Sequence, residues 1–347
     1  MSARRTEKMQ DSFRADKGRS GVRFWFQALV VAMLLALLVG IGRTQADAPR
    51  DDLRRELLYS SAAQHPVRLT ASDDGPFFSL EDLRAYVPPP AKPKAWEIRP
   101  PVWVEYPKAL DDIPIVPRGY SEETIRYLAE HEIRQGDRSM PYVALTFDCE
   151  LGTSSTRHIL ETLQAEGVRA TFFVQGRYAY RNPEIMRQIE AGGHEFGNHS
   201  FFHPQFTSIS PITATQELTY TEAAITWALG HPMPMRYIRF PYGRRNNATR
   251  LHAASLGYQS ASWDIDPRGW DPEKGPEDVV EYIRRTAHPG GIVIMHCMSW
   301  DDAHALSDVI QVLRERGLEP GTLWDVLTEA DRDVPGYPLS AAPNGGG

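Results

Sequence analysis

From Tyr142 onward, short apolar runs alternate with longer stretches in which apolar residues recur every three or four positions. The first pattern predicts strands buried on both faces and the second predicts helices, so together they describe β/α units around a parallel sheet. Strands are expected at Tyr142–Phe147, Ala170–Val174, His194–Phe196, Tyr237–Phe240, Tyr258–Trp263, Ile292–His296 and, weakly, Leu318–Pro320. Helices are expected at Thr156–Ala165, Pro183–Ala191 with Asn182 as cap, Ile212–Leu229, Asn247–Ser255, Pro276–Thr286, Ala303–Arg316 and Leu323–Glu329. Seven such units suit a distorted (β/α)7 barrel better than an open doubly wound sheet, although spacing alone leaves the second open. No Gly-rich phosphate fingerprint follows a strand. In either architecture ligands bind at the carboxyl ends of the strands.

Upstream the pattern changes twice. A basic arm over 1–23 carries Arg4, Arg5, Lys8, Arg14, Lys17, Arg19 and Arg23, and an uncharged apolar run follows from Phe24 to Gly42. At 1.5 Å per residue that run is about long enough to cross a bilayer, and the preceding positive charge keeps the N-terminus cytoplasmic. A single-pass membrane anchor at 24–42 with an extracytoplasmic remainder is expected; Thr44-Gln45-Ala46 leaves a secreted form cut after Ala46 as the alternative. Residues 43–140 are rich in proline, including Pro88, Pro89, Pro90, Pro93, Pro100 and Pro101, and read as an extended stalk. Its aromatics Tyr86, Trp96, Trp103 and Tyr106 argue that parts of it dock on a folded surface. Ser121 before Glu122 and Glu123 reads as the cap of a short helix reaching about Ile133. The domain proper is drawn at 141–330, with a flexible tail over 331–347.

Composition narrows the function. With 41% hydrophobic and 24% charged residues the chain can bury a large core, and a net charge of -7 gives no basic field for nucleic acid. The two cysteines, Cys149 and Cys297, allow at most one intrachain disulfide. The sequence leaves the oligomeric state open.

The polar residues at the expected strand ends gather on one rim. Asp148 ends the first strand, His199 and His203 follow the third, Arg239 and Tyr242 flank the end of the fourth, Asp264 and Asp266 follow the fifth, and His296 ends the sixth. Histidines at i and i+4 share one face of a helical turn and can bind one Zn²⁺-type ion. A catalytic site with an open position needs a third protein ligand, which Asp148, Cys149 or Glu150 could supply.

Leu145-Thr146-Phe147-Asp148, His199-Ser200-x-x-His203, Arg239-Phe240-Pro241-Tyr242, Asp264-Ile265-Asp266 with Trp270, and Ile294-Met295-His296 occur in the order used by polysaccharide deacetylases of the NodB-homology type, carbohydrate esterase family 4. The resemblance covers about Pro141 to Leu327. The stretches Gly193–Ser200 and Met295–Leu306 look most like its peptidoglycan branch, including the muramic δ-lactam de-N-acetylases. The resemblance implies a distorted (β/α)7 barrel of NodB type and removal of N-acetyl groups from a cell-envelope glycan, with peptidoglycan as the expected substrate. It implies a divalent metal, with Zn²⁺ expected, on His199 and His203. Asp148 would take the proton of the attacking water, the main-chain N–H of Tyr242 would steady the oxyanion, and Arg239 would orient Asp148. His296 would protonate the leaving amine, held charged by a carboxylate for which Asp266 is the first choice.

Two departures from that pattern stand out. The first motif usually carries two adjacent aspartates, the second being a metal ligand; here Cys149 and then Glu150 follow Asp148. The expectation is a carboxylate ligand, Glu150 or Asp148, because an exposed thiol in an oxidising compartment is easily lost. In the fourth motif Gly269 precedes Trp270 where an acid is common, which leaves Asp264 or Asp266 to support His296. For Cys149 and Cys297, packing in the helix layer ranks first, a disulfide second and metal ligation third. His158, His252, His288 and His304 read as surface residues, and Trp263, Trp270 and Trp300 as the wall of a sugar cleft. The competing function is a catalytically silent glycan-binding or scaffold protein on the same fold.

Overall fold

A computed structural model describes residues 105–115 and 119–334. The expected basic arm and anchor, much of the stalk and the end of the tail lie outside the described residues. Among the described residues no helix is long and apolar enough to cross a membrane.

Among the described residues seven parallel strands form the sheet: β1 (Tyr142–Cys149), β2 (Thr171–Val174), β3 (Glu195–Asn198), β4 (Tyr237–Ile238), β5 (Gln259–Ser260), β6 (Ile292–His296) and β7 (Glu319–Gly321). Their order is β5-β4-β3-β2-β1-β6, with β7 pairing the first half of β1. The chain beyond β5 brings the two edges together: Ile265 pairs in parallel with Val293 of β6, and Ile133 pairs with Ala261. The sheet thus curls toward a barrel whose seam is made by single bridges rather than by full strands.

Among the described residues ten α-helices cover it: α1 (Glu122–Glu130), α2 (Thr153–Glu166), α3 (Gly176–Arg181), α4 (Pro183–Ala191), α5 (Pro211–Leu229), α6 (Asn247–Ser255), α7 (Pro276–Thr286), α8 (Trp300–Glu315), α9 (Leu323–Val326) and α10 (Glu329–Arg332). Three of them, α4, α6 and α7, run between the residues expected. Ser121 caps α1, its side chain accepting from the Thr124 N–H, but the helix stops at Glu130 because Ile133 is drawn into the bridge with Ala261. The helix expected over Leu323–Glu329 breaks in two where Thr328 starts a new cap. Asn182 does not cap α4 with its side chain, which instead donates to the Tyr178 carbonyl. The six-residue α3 is too short to show a helical period and was not expected.

Packing begins upstream of residue 141, where composition put the boundary. Leu110 is fully buried, and Tyr106 stacks on Tyr220 at 4.3 Å while its hydroxyl donates to Glu217 Oε1 at 2.8 Å. Glu132 is held by Arg245 Nε and Nη2 and by the Ser260 hydroxyl. The docking expected of the stalk aromatics is therefore seen at Tyr106.

Candidate active site

Strand alternation sorts the site residues. In β1, Val143, Leu145, Phe147 and Cys149 join the core under the helices, while Ala144, Thr146 and Asp148 have the opposite parity. The same parity places Val293, Met295 and Cys297 outward and His296 inward. Asp148 and His296 are direct register partners on neighbouring strands. Their successors, Cys149 and Cys297, are fully buried in the outer layer and form a disulfide, with Cα atoms 4.8 Å apart. This corrects the ranking of those cysteines: the layer is as expected, but they are bonded to each other. It also removes Cys149 from the metal ligands.

Alternation continues past the strand end, so Glu150 returns to the side of Asp148. Glu150 Oε1 lies 2.9 Å from His203 Nε2 and 3.4 Å from His199 Nε2, and the two imidazole nitrogens are 3.1 Å apart. Two donors on a tetrahedral zinc ion at 2.0–2.1 Å would stand about 3.3 Å apart, so the three atoms fit one divalent cation. His199 Nδ1 is 2.8 Å from the Arg239 carbonyl, a contact that fixes Nδ1 as the donor and leaves the Nε2 lone pair toward the other two ligands. Burial raises the Glu150 carboxyl, but hydrogen bonds from the two imidazoles outweigh it and hold the group well below the usual carboxylate range. Among the described residues Glu150, His199 and His203 are the group arranged to hold a metal. Asp148 is less well placed as a ligand, its Oδ2 being 3.6 Å from His199 Nε2.

The histidine pair does not sit on a helical turn, as the i, i+4 spacing suggested. Ser200 and His203 both adopt left-handed backbone, with φ of 62° and 63°, and this irregular turn folds the two rings together. Glu217 of α5 supports it: Oε2 accepts the N–H groups of both Phe201 and Phe202 at 2.7 Å. Sequence reasoning missed Glu217, whose helical surroundings carry no sign of a distant partner.

Arg239 is buried and donates from Nη1 to Asp148 Oδ1 at 2.9 Å, with its guanidinium over the Phe173 ring. Losing one partner of such a buried pair costs on the order of 3–5 kcal/mol. Tyr242 adopts φ 58° in the turn after β4, with its ring 4.5 Å from that of His203 and its side chain exposed.

Among the described residues no hydrogen bond or ion pair joins Asp266 to His296, on which it acts only through its charge. Asp266 Oδ1 accepts the Arg268 N–H, and Asp264 is spent on the barrel seam, accepting from Ile292 N and pairing with His288 at 3.0 Å. Asp302, fully buried in the first turn of α8, accepts the His296 N–H at 2.9 Å and lies 3.9 Å from His296 Nδ1. Burial pushes Asp302 up to about 7, against hydrogen bonds from His296 and Ser299 that hold it down. Burial likewise lowers His296, while the charges of Asp148, Glu150 and Asp266 oppose that. Ser299-Trp300-Asp301-Asp302 reads in sequence as a helix cap, and it is one: the Ser299 hydroxyl accepts from Asp302 N. Nothing in that signal pointed to His296.

Of the other residues considered, Trp270 and Trp300 are about half exposed on the rim, whereas Trp263 packs beside the inner core. His252, expected on the surface, is buried with Nε2 3.1 Å from the Thr215 hydroxyl.

Comparison with known proteins identifies the family of the fold. Residues 135–261 match the polysaccharide deacetylase family profile. The chain is 33% identical to a chitooligosaccharide deacetylase of Bradyrhizobium sp. (strain ANU 289), covering 51% of this chain and 86% of that one. It is 29% identical to the peptidoglycan-N-acetylmuramic acid deacetylase PdaA of Bacillus subtilis (strain 168), covering 58% and 76%. The solved structure of B. subtilis PdaA superposes with a TM-score of 0.54 at 28% identity, over 58% of this chain and 88% of that chain. A pseudoenzyme of carbohydrate esterase family 4 from Bacillus anthracis superposes equally well, at 0.54 and 28% identity over 57% and 69%. The fold is that of carbohydrate esterase family 4. The chain belongs to the polysaccharide deacetylase family.

Proposed function

We propose that this protein removes N-acetyl groups from peptidoglycan in a metal-dependent hydrolysis. The observation that carries the reading is the triangle of Glu150, His199 and His203 donor atoms beside the inward pair of Asp148 and His296. Glu150, His199 and His203 would hold a divalent ion, which supplies Lewis-acid polarisation of the acetamido carbonyl and of a water. Asp148, fixed by Arg239, takes the proton from the attacking water. The Tyr242 main-chain N–H would meet the developing oxyanion. His296, on the strand beside Asp148, delivers a proton to the departing amine, its ring oriented by Asp302.

Peptidoglycan is favoured over chitin by the branch-like motifs around His199 and His296 and by the likeness to PdaA. Anchoring at 24–42 with an extracytoplasmic domain is supported by the sequence there and by the Cys149–Cys297 disulfide, a bond that persists in oxidising compartments.

A silent domain is the second reading, favoured by one observation: the position after Asp148, a ligand in the usual motif, is occupied here by a disulfide cysteine. Acetate release from purified peptidoglycan, with and without prior chelation, separates the two. Release that stops on chelation and returns with zinc supports the enzyme. No release from the zinc-loaded protein, with peptidoglycan still bound, would establish the silent reading.

A further inference from the structure

Beside Glu150 the rim opens into a cavity of about 320 Å³, whose walls include Glu150, Gly152, Thr153, Arg177, Tyr178 and Arg181. These walls are rich in donors and poor in acceptors. Arg177 is half-buried and Arg181 exposed, both on α3, and among the described residues neither guanidinium has an ion-pair or hydrogen-bond partner. Other arginines nearby are engaged, Arg157 with Glu184 and Arg239 with Asp148. Glu150 is the one carboxylate on this wall, and its Oε1 is taken up by His199 and His203.

A guanidinium with no protein partner keeps all its donors available to a ligand, and its forked geometry matches a carboxylate. The α3 backbone is tied to the metal-binding turn, since Gly176 N donates to the Ser200 carbonyl and Arg177 N to that of Phe201. The helix that carries the two cations is thus held at a set position relative to His199 and His203.

We propose that Arg177 and Arg181 form an anion subsite that receives a carboxylate of the substrate while the acetamido group lies at Glu150, His199 and His203. This rests on the deacetylase reading and deepens it by naming what distinguishes the substrate. Chitin carries no anion. A peptide-free muramic acid residue carries a lactyl carboxylate, as an ether substituent on the carbon next to the one bearing the acetamido group; where a stem peptide is attached that carboxyl is a neutral amide, and the peptide's own carboxylates take its place. A carboxylate so close to the reacting amide falls on the wall beside the metal ligands, where the arginines are.

The test uses the full chain loaded with zinc and carrying His296→Ala, so that the glycans bind without turnover, as the parent for the comparison, and measures equilibrium binding by calorimetry. Three ligands are compared: chitotetraose, a peptide-free tetrasaccharide of alternating N-acetylglucosamine and N-acetylmuramic acid, and the same tetrasaccharide bearing stem peptides. The parent should favour a carboxylate-bearing glycan over chitotetraose by roughly tenfold to a hundredfold, as expected for charge-assisted bonds. Preference for the peptide-free glycan assigns the lactyl carboxylate; preference appearing only with the peptide assigns the peptide. In Arg177→Gln/Arg181→Gln the ratio should fall toward one, and Arg177→Lys/Arg181→Lys should restore part of it. No preference in the parent, or a ratio that survives in the glutamine variant, would overturn the subsite while leaving the deacetylase reading in place. Binding of no glycan at all would overturn both.

Discussion

Gly269 stands where Asp302 needs space: a Cβ placed at Gly269 would run into the Asp302 carboxylate. The family resemblance puts an acid at the position before Trp270, and this chain has no side chain there. The carboxylate beside His296 arrives instead from α8, and the Ser299 hydroxyl, donating to the Gly269 carbonyl at 2.7 Å, ties the two segments together. The missing acid and the unexpected one are a single exchange across the same space.

That exchange predicts the behaviour of Asp302. Asp302→Asn keeps an acceptor for the His296 N–H but removes a carboxyl that is charged near Nδ1 above about pH 7, so turnover above that pH should fall about tenfold or more with little change in KM. Gly269→Asp alone should be inactive through the collision, while Gly269→Asp combined with Asp302→Ala should recover part of the loss. Steady-state kinetics on peptidoglycan fragments checks both, and full activity in Asp302→Asn would remove its positioning role.

Metal content follows the parity of the chain after β1. His199→Ala, His203→Ala and Glu150→Gln should each lose most bound zinc, whereas Cys149→Ser should keep it, because the Cys149 side chain is on the far side of the strand. Elemental analysis of the purified variants reads this directly; loss of zinc in Cys149→Ser with Glu150→Gln unaffected would reverse the assignment.

The support beneath the histidine turn should be felt in metal affinity. Glu217→Ala strands the buried Phe201 N–H, at a cost of roughly 1–3 kcal/mol, together with the half-buried Phe202 N–H, and frees the turn that bears both imidazoles. Lower Tm and weaker zinc binding are expected together. Tyr106→Phe, which removes a single donor to Glu217, should show the same two effects to a smaller degree. Competition with a chromophoric chelator gives the zinc Kd, and an unchanged Kd in Glu217→Ala would show that the turn holds itself.

Glu195 predicts a pH effect with a definite sign. It is buried, its Oε1 has no partner, and burial pushes its carboxyl up to about 7. Between the ordinary carboxylate pKa and that value the native chain keeps a proton that the unfolded chain releases, so this group makes the fold less stable as pH rises. Glu195→Gln should therefore gain stability relative to the parent between pH 5 and pH 8, by up to about 3 kcal/mol. Urea denaturation at the two pH values measures the difference, and a gap that does not widen with pH would refute it.

What could be read from sequence follows from how local each signal is. The apolar strand runs and the capped helices declare themselves within a few residues, so β6, α4, α6 and α7 fall where expected. Asp148, His199, Arg239 and His296 were legible because strand ends converge in a parallel barrel whatever the side chains are. Glu217 and Asp302 were not, because each serves a residue on another element and reads locally as an ordinary helix position. The left-handed Ser200 and His203 were hidden for a related reason: neither is a glycine, so nothing in the sequence announces a turn rather than a helix.

The bond between Cys149 and Cys297 has one further consequence. It joins positions 148 apart, and every rim loop that follows β1 through β5 lies inside the covalent ring so formed. A protease that nicks any of those loops cannot release a fragment, and the cut molecule stays a single species on a non-reducing gel. Only with reductant does it run as separate pieces, so the loops of this domain could be cleaved, remodelled or extended while the two strands that carry Asp148 and His296 remain tethered.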